Sequence, residues 1–173
     1  VNLPYREAGP QRRPPRADRA VPGYRKVLEA ARRELAPSRA WVAGGKSYGG
    51  RVASMAVAEG TDVAGLLFYG YPLHPPGSPV KLRVAHWPRV SVPSLFLQGT
   101  RDAFGDPALF EDHLDDLGGT ATLHVVQGGD HSLRVTGKAA ADGVPRRPEE
   151  VCRSLGPVVA AWLDGIGRAG STP

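Results

Sequence analysis

The chain has 173 residues, 41% of them hydrophobic, 23% charged and 7% aromatic, with a formal net charge of +5 and a pI near 9.7. That is the mix of an ordinary globular protein, and the length suits one domain, residues 1–173, around a single core. No apolar run reaches the roughly 18 residues that a membrane-spanning helix needs, and the single cysteine, Cys152, excludes an internal disulfide.

A lone cysteine fits a reducing compartment, and no basic-then-apolar leader opens the chain, so a cytoplasmic location is expected. Arginine outnumbers lysine and Ala, Gly and Pro are abundant, the pattern that GC-rich bacterial coding DNA produces. The basic excess lies partly in Arg12, Arg13, Arg16 and Arg19, interrupted by Pro14 and Pro15. No aromatic platform accompanies it, so a solvated loop is expected and no nucleic-acid partner.

In chain order, Val1–Pro4 reads as the end of a strand, followed by a proline-rich loop. Tyr24, Val27, Leu28, Ala31 and Leu35 fall at helical spacing and predict a helix over 23–36. A short strand over 40–43 and a helix of small residues over 50–59, ended by Gly60, come next. The run AGLLFY, 64–69, is apolar on both faces, as in a parallel sheet covered on both sides. A long proline-rich connection, 72–92, leads to a third strand, PSLFLQ, at 93–98. Asp106 followed by Pro107 is a helix start, with a capping carboxylate and Pro in the first turn. That helix is expected to run to about Leu117. A fourth strand is predicted over 121–126, and an amphipathic helix over 148–166, opened by Glu149 and Glu150. Strands alternating with helices predict a doubly wound, mostly parallel α/β sheet.

The stretch WVAGGKSYGGR, 41–51, admits two chemistries. A P-loop requires G-x-x-x-x-G-K-[ST], but five residues before Gly45 stands Ala40, and the apolar strand runs through the position of the phosphate turn. The alternative is G-x-S-x-G, with Ser47 as nucleophile. It is weak alone, but here it sits between a strand and a small-residue helix, the strand–turn–helix context such an elbow needs. Gly45 and Gly49 flank Ser47 where a Cβ is expected to collide with neighbouring backbone.

A serine hydroxyl requires a base, and the base an orienting acid. Gly99-Thr100-Arg101-Asp102 puts Asp102 just past the third strand, and Gln127-Gly128-Gly129-Asp130-His131 puts His131 just past the fourth. The order Ser47, Asp102, His131 is that of an acyl-transfer triad on an α/β sheet. Asp106 reads as a helix cap, Asp130 as a turn cap, His113 as solvated and His124 as a structural strand residue. His86 has no nameable partner. His74, after the second strand, and Lys46, beside the nucleophile, are candidate pocket-lining residues. No metal-ligand spacing appears, and the chemistry needs no metal and no cofactor.

The segments GGKSYGGRVAS, GLLFYGYPLHPPG, PSLFLQGTRDAFG and VQGGDHS, in that order, resemble the dienelactone-hydrolase-like α/β-hydrolases. More narrowly they are similar to the bacterial subgroup related to the hydrolase domain of the animal NSL chromatin-complex subunit 3. NLPYREAG resembles the segment after that subgroup's fourth strand, so the likeness runs from about Asn2 to Leu163. The resemblance implies Ser47 as nucleophile, His131 as base, Asp102 as acid and the Tyr48 backbone N–H as an oxyanion donor. It also implies about three earlier strands and a loop carrying a second oxyanion donor, which this sequence lacks. A chain shortened at its N-terminus is therefore expected, with Trp41–Ala43 missing a neighbouring strand. Losing one oxyanion donor typically costs about 10²–10³ in kcat, so weak or absent activity is expected for residues 1–173. Two functions follow: a serine hydrolase acting on a small acyl or ester substrate, or a non-catalytic scaffold of the same fold that binds a partner.

Overall fold

The computed structural model describes residues 3–7, 9, 13–35, 40–136 and 148–169. Along the chain these form α1 (Pro4–Glu7), α2 (Ala17–Glu34), β1 (Val42–Lys46), α3 (Tyr48–Ala58), β2 (Gly65–Tyr69), β3 (Ser94–Gly99), α4 (Pro107–Glu111), β4 (Ala121–Val126) and α5 (Pro148–Ala169). The four strands pair in parallel in the order β1-β2-β3-β4. This is an α/β fold with helices on both faces of the sheet.

Alternation along the strands sorts the core into two layers. Leu66, Phe68 and Phe96 turn to one face, where Ala53 and Val57 of α3, Trp87 and Phe110 cover them. Leu95 and Leu97 turn to the other, under Val151 and Leu155 of α5. Every residue of β3 is buried, which is why its middle, Leu95–Leu97, is apolar without a break. Burying each large apolar side chain is worth about 1.5–3 kcal/mol. The ring pairs Phe68–Phe96, at 4.7 Å between centroids, and Phe96–Phe110, at 5.4 Å, add contact energy across that layer. α2 lies outside α3, with Ala17, Ala20 and Val21 against Val52 and Ala56.

Several sequence expectations are corrected. Pro4 opens a short helix rather than ending a strand, and residues 1–2 lie outside the described residues. α2 begins at Ala17, six residues before the expected start, because Ala17, Ala20 and Val21 supply an extra buried turn against α3. Arg16 and Arg19 therefore flank a helix start, with Arg16 paired to Asp18, instead of lying in a loop; Arg12 lies outside the described residues. The helix from Pro107 ends at Glu111, and a separate 3-10 turn, Leu114–Asp116, replaces its second half.

β1 is an edge strand, yet its outer side is not left bare. Trp41 C=O accepts from Ala64 N–H at 2.8 Å on the β2 side. On the outer side, the Tyr24 hydroxyl accepts from Gly44 N–H at 3.2 Å and donates to Gly44 C=O at 3.4 Å. One side chain from α2 thus occupies both outward hydrogen-bonding groups of Gly44, at the centre of the edge that an adjoining strand would take.

Candidate active site

The chain reverses direction at Ser47, between β1 and α3, with φ 52° and ψ −121°. A non-glycine residue rarely adopts this conformation, and holding it costs about 1–3 kcal/mol. The strain is held by the strand before and the helix after: Ser47 N–H donates to Tyr69 C=O at 3.1 Å, and Arg51 N–H returns to Ser47 C=O at 3.2 Å. A Cβ on Gly45 would lie 3.0 Å from Gly49 C, and one on Gly50 would lie 2.7 Å from Gly45 O and 3.1 Å from Phe68. Gly45 behaves as expected, but Gly49 does not: a Cβ there would meet nothing within 4 Å. Gly50 is the second glycine that the tight approach of helix to strand requires.

Asp102 follows β3 and His131 follows β4, so all three side chains stand at the carboxyl edge of the sheet. His131 Nε2 lies 2.7 Å from Ser47 Oγ, and His131 Nδ1 lies 2.9 and 2.8 Å from the two carboxylate oxygens of Asp102. With Nδ1–H given to the carboxylate, Nε2 is left as acceptor for the serine O–H. A hydroxyl so placed can pass its proton to the ring as it attacks. The Asp102 side chain is fully buried and His131 is about a quarter exposed.

The loop that carries His131 packs tightly over the strand ends. At Gly70, with φ 62°, a Cβ would come within 2.6 Å of His131 O; both the backbone conformation and the contact require glycine there. Asp130 caps the loop, accepting from Ser132 N–H at 2.7 Å and Arg134 N–H at 3.1 Å, with the Arg134 guanidinium on its other oxygen at 3.0 Å. Burial pushes the Asp130 carboxyl up, but the hydrogen bonds from Ser132 and Arg134 outweigh it and hold the group below its ordinary value. Tyr69 Oη donates to Ser132 C=O at 3.1 Å, pinning the loop to β2. Burial, with Cys152 and Asp130 nearby, pushes the Tyr69 hydroxyl up to about 12.

A groove of about 840 Å³ opens beside Ser47 and His131, walled by β1, by Val27 and Leu28 of α2, and by Leu3. Lys46 lines it, its ammonium donating to Ser132 Oγ at 2.6 Å. His74 does not: it is buried, with its ring Nδ1–H given to Pro75 C=O at 2.8 Å and its N–H to Phe104 C=O. Tyr48 opens α3, so its N–H has no acceptor within the helix. Among the described residues no cluster of three His, Cys, Asp or Glu side chains forms a metal-holding group, and no helix is long and apolar enough to cross a membrane.

A second serine–histidine contact lies in the core. Ser54 Oγ is 2.7 Å from His86 Nε2, which gives His86 the partner that the sequence did not reveal. Ser54 is 1% exposed, its hydroxyl donates to Arg51 C=O, and among the described residues no carboxylate is hydrogen-bonded to the ring. Tyr71 Oη at 3.2 Å from Ser54 and Trp87 Nε1–H donating to Tyr71 at 3.2 Å complete the network. Burial, and then Arg51 and Arg89, push the His86 imidazole down to about 4. Sealed and lacking an acid, this pair has a structural part. Two residues of the exposed site also escape sequence reading: Phe104, whose ring stacks on His131 at 4.3 Å and 32°, and Gln98, which bonds to Asp102.

A sequence model of the family described as "Alpha/beta hydrolase domain" matches residues 2–150. Solved structures of the same fold include an alpha-beta serine hydrolase homologue from Coxiella burnetii, 17% identical with a TM-score of 0.56 over 70% of this chain and 54% of that one. A dienelactone hydrolase from Anabaena variabilis is 17% identical, with a TM-score of 0.57 over 87% of this chain and 61% of its own. Puromycin hydrolase is 22% identical, with a TM-score of 0.58 over 86% of this chain and 25% of its own. The chain therefore spans less than two thirds of the length of each of these proteins.

Proposed function

Because the chain belongs to the alpha/beta hydrolase family, we propose that it is a serine hydrolase cleaving a carboxylic ester or related acyl bond. Ser47 Oγ attacks the acyl carbon while His131 Nε2 takes its proton. Asp102 holds the imidazole in the Nδ1–H form and offsets the positive charge that the ring gains. The Tyr48 N–H donates to the carbonyl oxygen as it becomes an oxyanion. His131 then returns the proton to the leaving alcohol, and a water activated by the same ring releases the acyl group.

One observation carries this reading: a single imidazole joins the Ser47 hydroxyl at 2.7 Å to a buried carboxylate at 2.8 Å. The connection over 72–92 leaves no room for a large lid over the groove beside Ser47, which favours a small acyl or ester substrate. Kinship with the dienelactone-hydrolase-like bacterial subgroup related to NSL-complex subunit 3, and a cytoplasmic setting, belong to the same reading and rest on the motifs and the single cysteine.

Hydrolysis of p-nitrophenyl acetate tests it. The protein should release p-nitrophenol above the buffer rate, and Ser47→Ala should abolish the excess. Equal turnover by protein and Ser47→Ala would remove the proposal and favour the scaffold.

A further inference from the structure

Gln98 stands near the end of β3 and is 0% exposed, among the largest fully buried side chains. A buried amide is costly unless each polar atom finds a partner, and an apolar residue would fill the same core position without that demand. Both donor hydrogens and the acceptor oxygen of Gln98 are engaged. Its Nε2 donates to Asp102 Oδ2 at 2.7 Å and to Gly105 C=O at 2.9 Å, while its Oε1 accepts from Tyr71 N–H at 3.0 Å. The first two contacts grip both ends of the Asp102–Gly105 turn, and the third ties that grip to the segment after β2.

The other oxygen, Oδ1, accepts from Phe104 N–H at 2.8 Å. Gln98 and Phe104 thus fix the carboxylate plane from two sides, leaving both oxygens toward His131 Nδ1. Without the Gln98 donor, Oδ2 keeps only the imidazole among the described residues, and the carboxylate can turn about its Cβ–Cγ bond. We propose that Gln98 is a positioning residue for the reaction: its amide sets the orientation of Asp102 and, through it, the aim of His131 at Ser47. This inference rests on the serine-hydrolase reading above.

Gln98→Met removes the amide at similar volume, and Gln98→Glu keeps the shape and the acceptor for Tyr71 but sets a second carboxyl against Asp102, so that the two share one proton and the Asp102 charge that faces His131 is reduced. Ser54→Ala, which breaks a buried hydrogen bond in the separate His86 network, is the control for lost stability. Two readouts are taken on each folded variant: ester kinetics, and the low-field proton resonance of the Nδ1–H held between His131 and Asp102. Both Gln98 variants should lose about ten- to a hundredfold in kcat, the range that removing an orienting hydrogen-bond partner costs at metal-bound histidines, with KM little changed. Their low-field resonance should broaden or vanish through exchange with water, while Ser54→Ala keeps both signal and kcat. Unchanged kcat and resonance in folded Gln98→Met would overturn the proposal. So would failure of both Gln98 variants to fold, which would assign the amide to the fold itself. If the unmodified protein shows no turnover, the hydrolase reading falls, and the resonance still decides whether Gln98 holds the acid against His131.

Discussion

His131 Nε2 meets Ser47 Oγ at 2.7 Å across 84 positions of sequence. Nothing local brings them together: the serine is fixed by the turn between β1 and α3, and the histidine by a loop after β4, three strands away in the sheet. Their contact depends on Asp102, which sits after the intervening β3 and holds the far side of the ring.

Asp102→Asn should therefore disable the site without unfolding the protein. The carboxylate accepts from Gln98, Phe104 and His131 at once. An amide must turn its NH₂ toward one of these donors, which breaks a contact or forces the imidazole into the wrong tautomer. The rate of ester turnover should fall by about 10⁴, with circular dichroism unchanged. A loss below tenfold would show that the acid does not orient the base.

Gly50 and Gly49 should respond oppositely to alanine. At Gly50 the new Cβ meets Gly45 O at 2.7 Å, and Gly50→Ala should cost about 1–3 kcal/mol in urea denaturation, as overpacking does. At Gly49 there is open space, and Gly49→Ala should be neutral or stabilise by up to about 1 kcal/mol, through lower entropy of the unfolded chain. A reversed order would contradict the packing described at the elbow.

The neutral His86 ring should make the fold acid-sensitive. Its value is lowered to about 4 by burial and then by Arg51 and Arg89, so between about pH 6.5 and 4 the unfolded chain binds a proton that the folded chain does not. Stability should be fully present above about 6.5 and fall as pH drops toward 4, by on the order of 3 kcal/mol from this group. Urea midpoints of the protein and of His86→Phe, compared at pH 7 and 4.5, should show a shallower decline in the variant. Parallel declines would rule out His86 as the source.

Tyr24→Phe removes the hydroxyl that satisfies Gly44 on the outer edge of β1. The half-buried N–H and C=O of Gly44 then lose this partner, and stability should drop by about 1 kcal/mol. No change in the urea midpoint would mean that the hydroxyl is dispensable to that edge.

Much of this was legible in the sequence, and the reasons are particular. β4 coincides with its expected span, 121–126, because Thr122, Val125 and Val126 sit between clear breakers. Asp106 caps α4 as its pairing with Pro107 suggests, accepting from Ala108 N–H at 2.8 Å. Ser47, Asp102 and His131 could be chosen because each follows a strand. The early start of α2 was hidden by Pro22 inside the helix and by flanking arginines that read as loop. Gln98 and Phe104 carried no signal at all. One looks like any polar residue ending a strand and the other like any loop aromatic, and only the folding of the acid turn gives them their partners. The Ser54–His86–Tyr71 network is equally silent, since its members come from a helix and two separate parts of one connection.

The most direct measurement is reaction with a fluorophosphonate probe, followed by mass mapping of the labelled peptide. The geometry predicts a covalent adduct on Ser47, absent in Ser47→Ala, slowed in His131→Ala, and never on the sealed Ser54. A folded protein that takes no label, or takes it equally well after Ser47→Ala, would contradict the account.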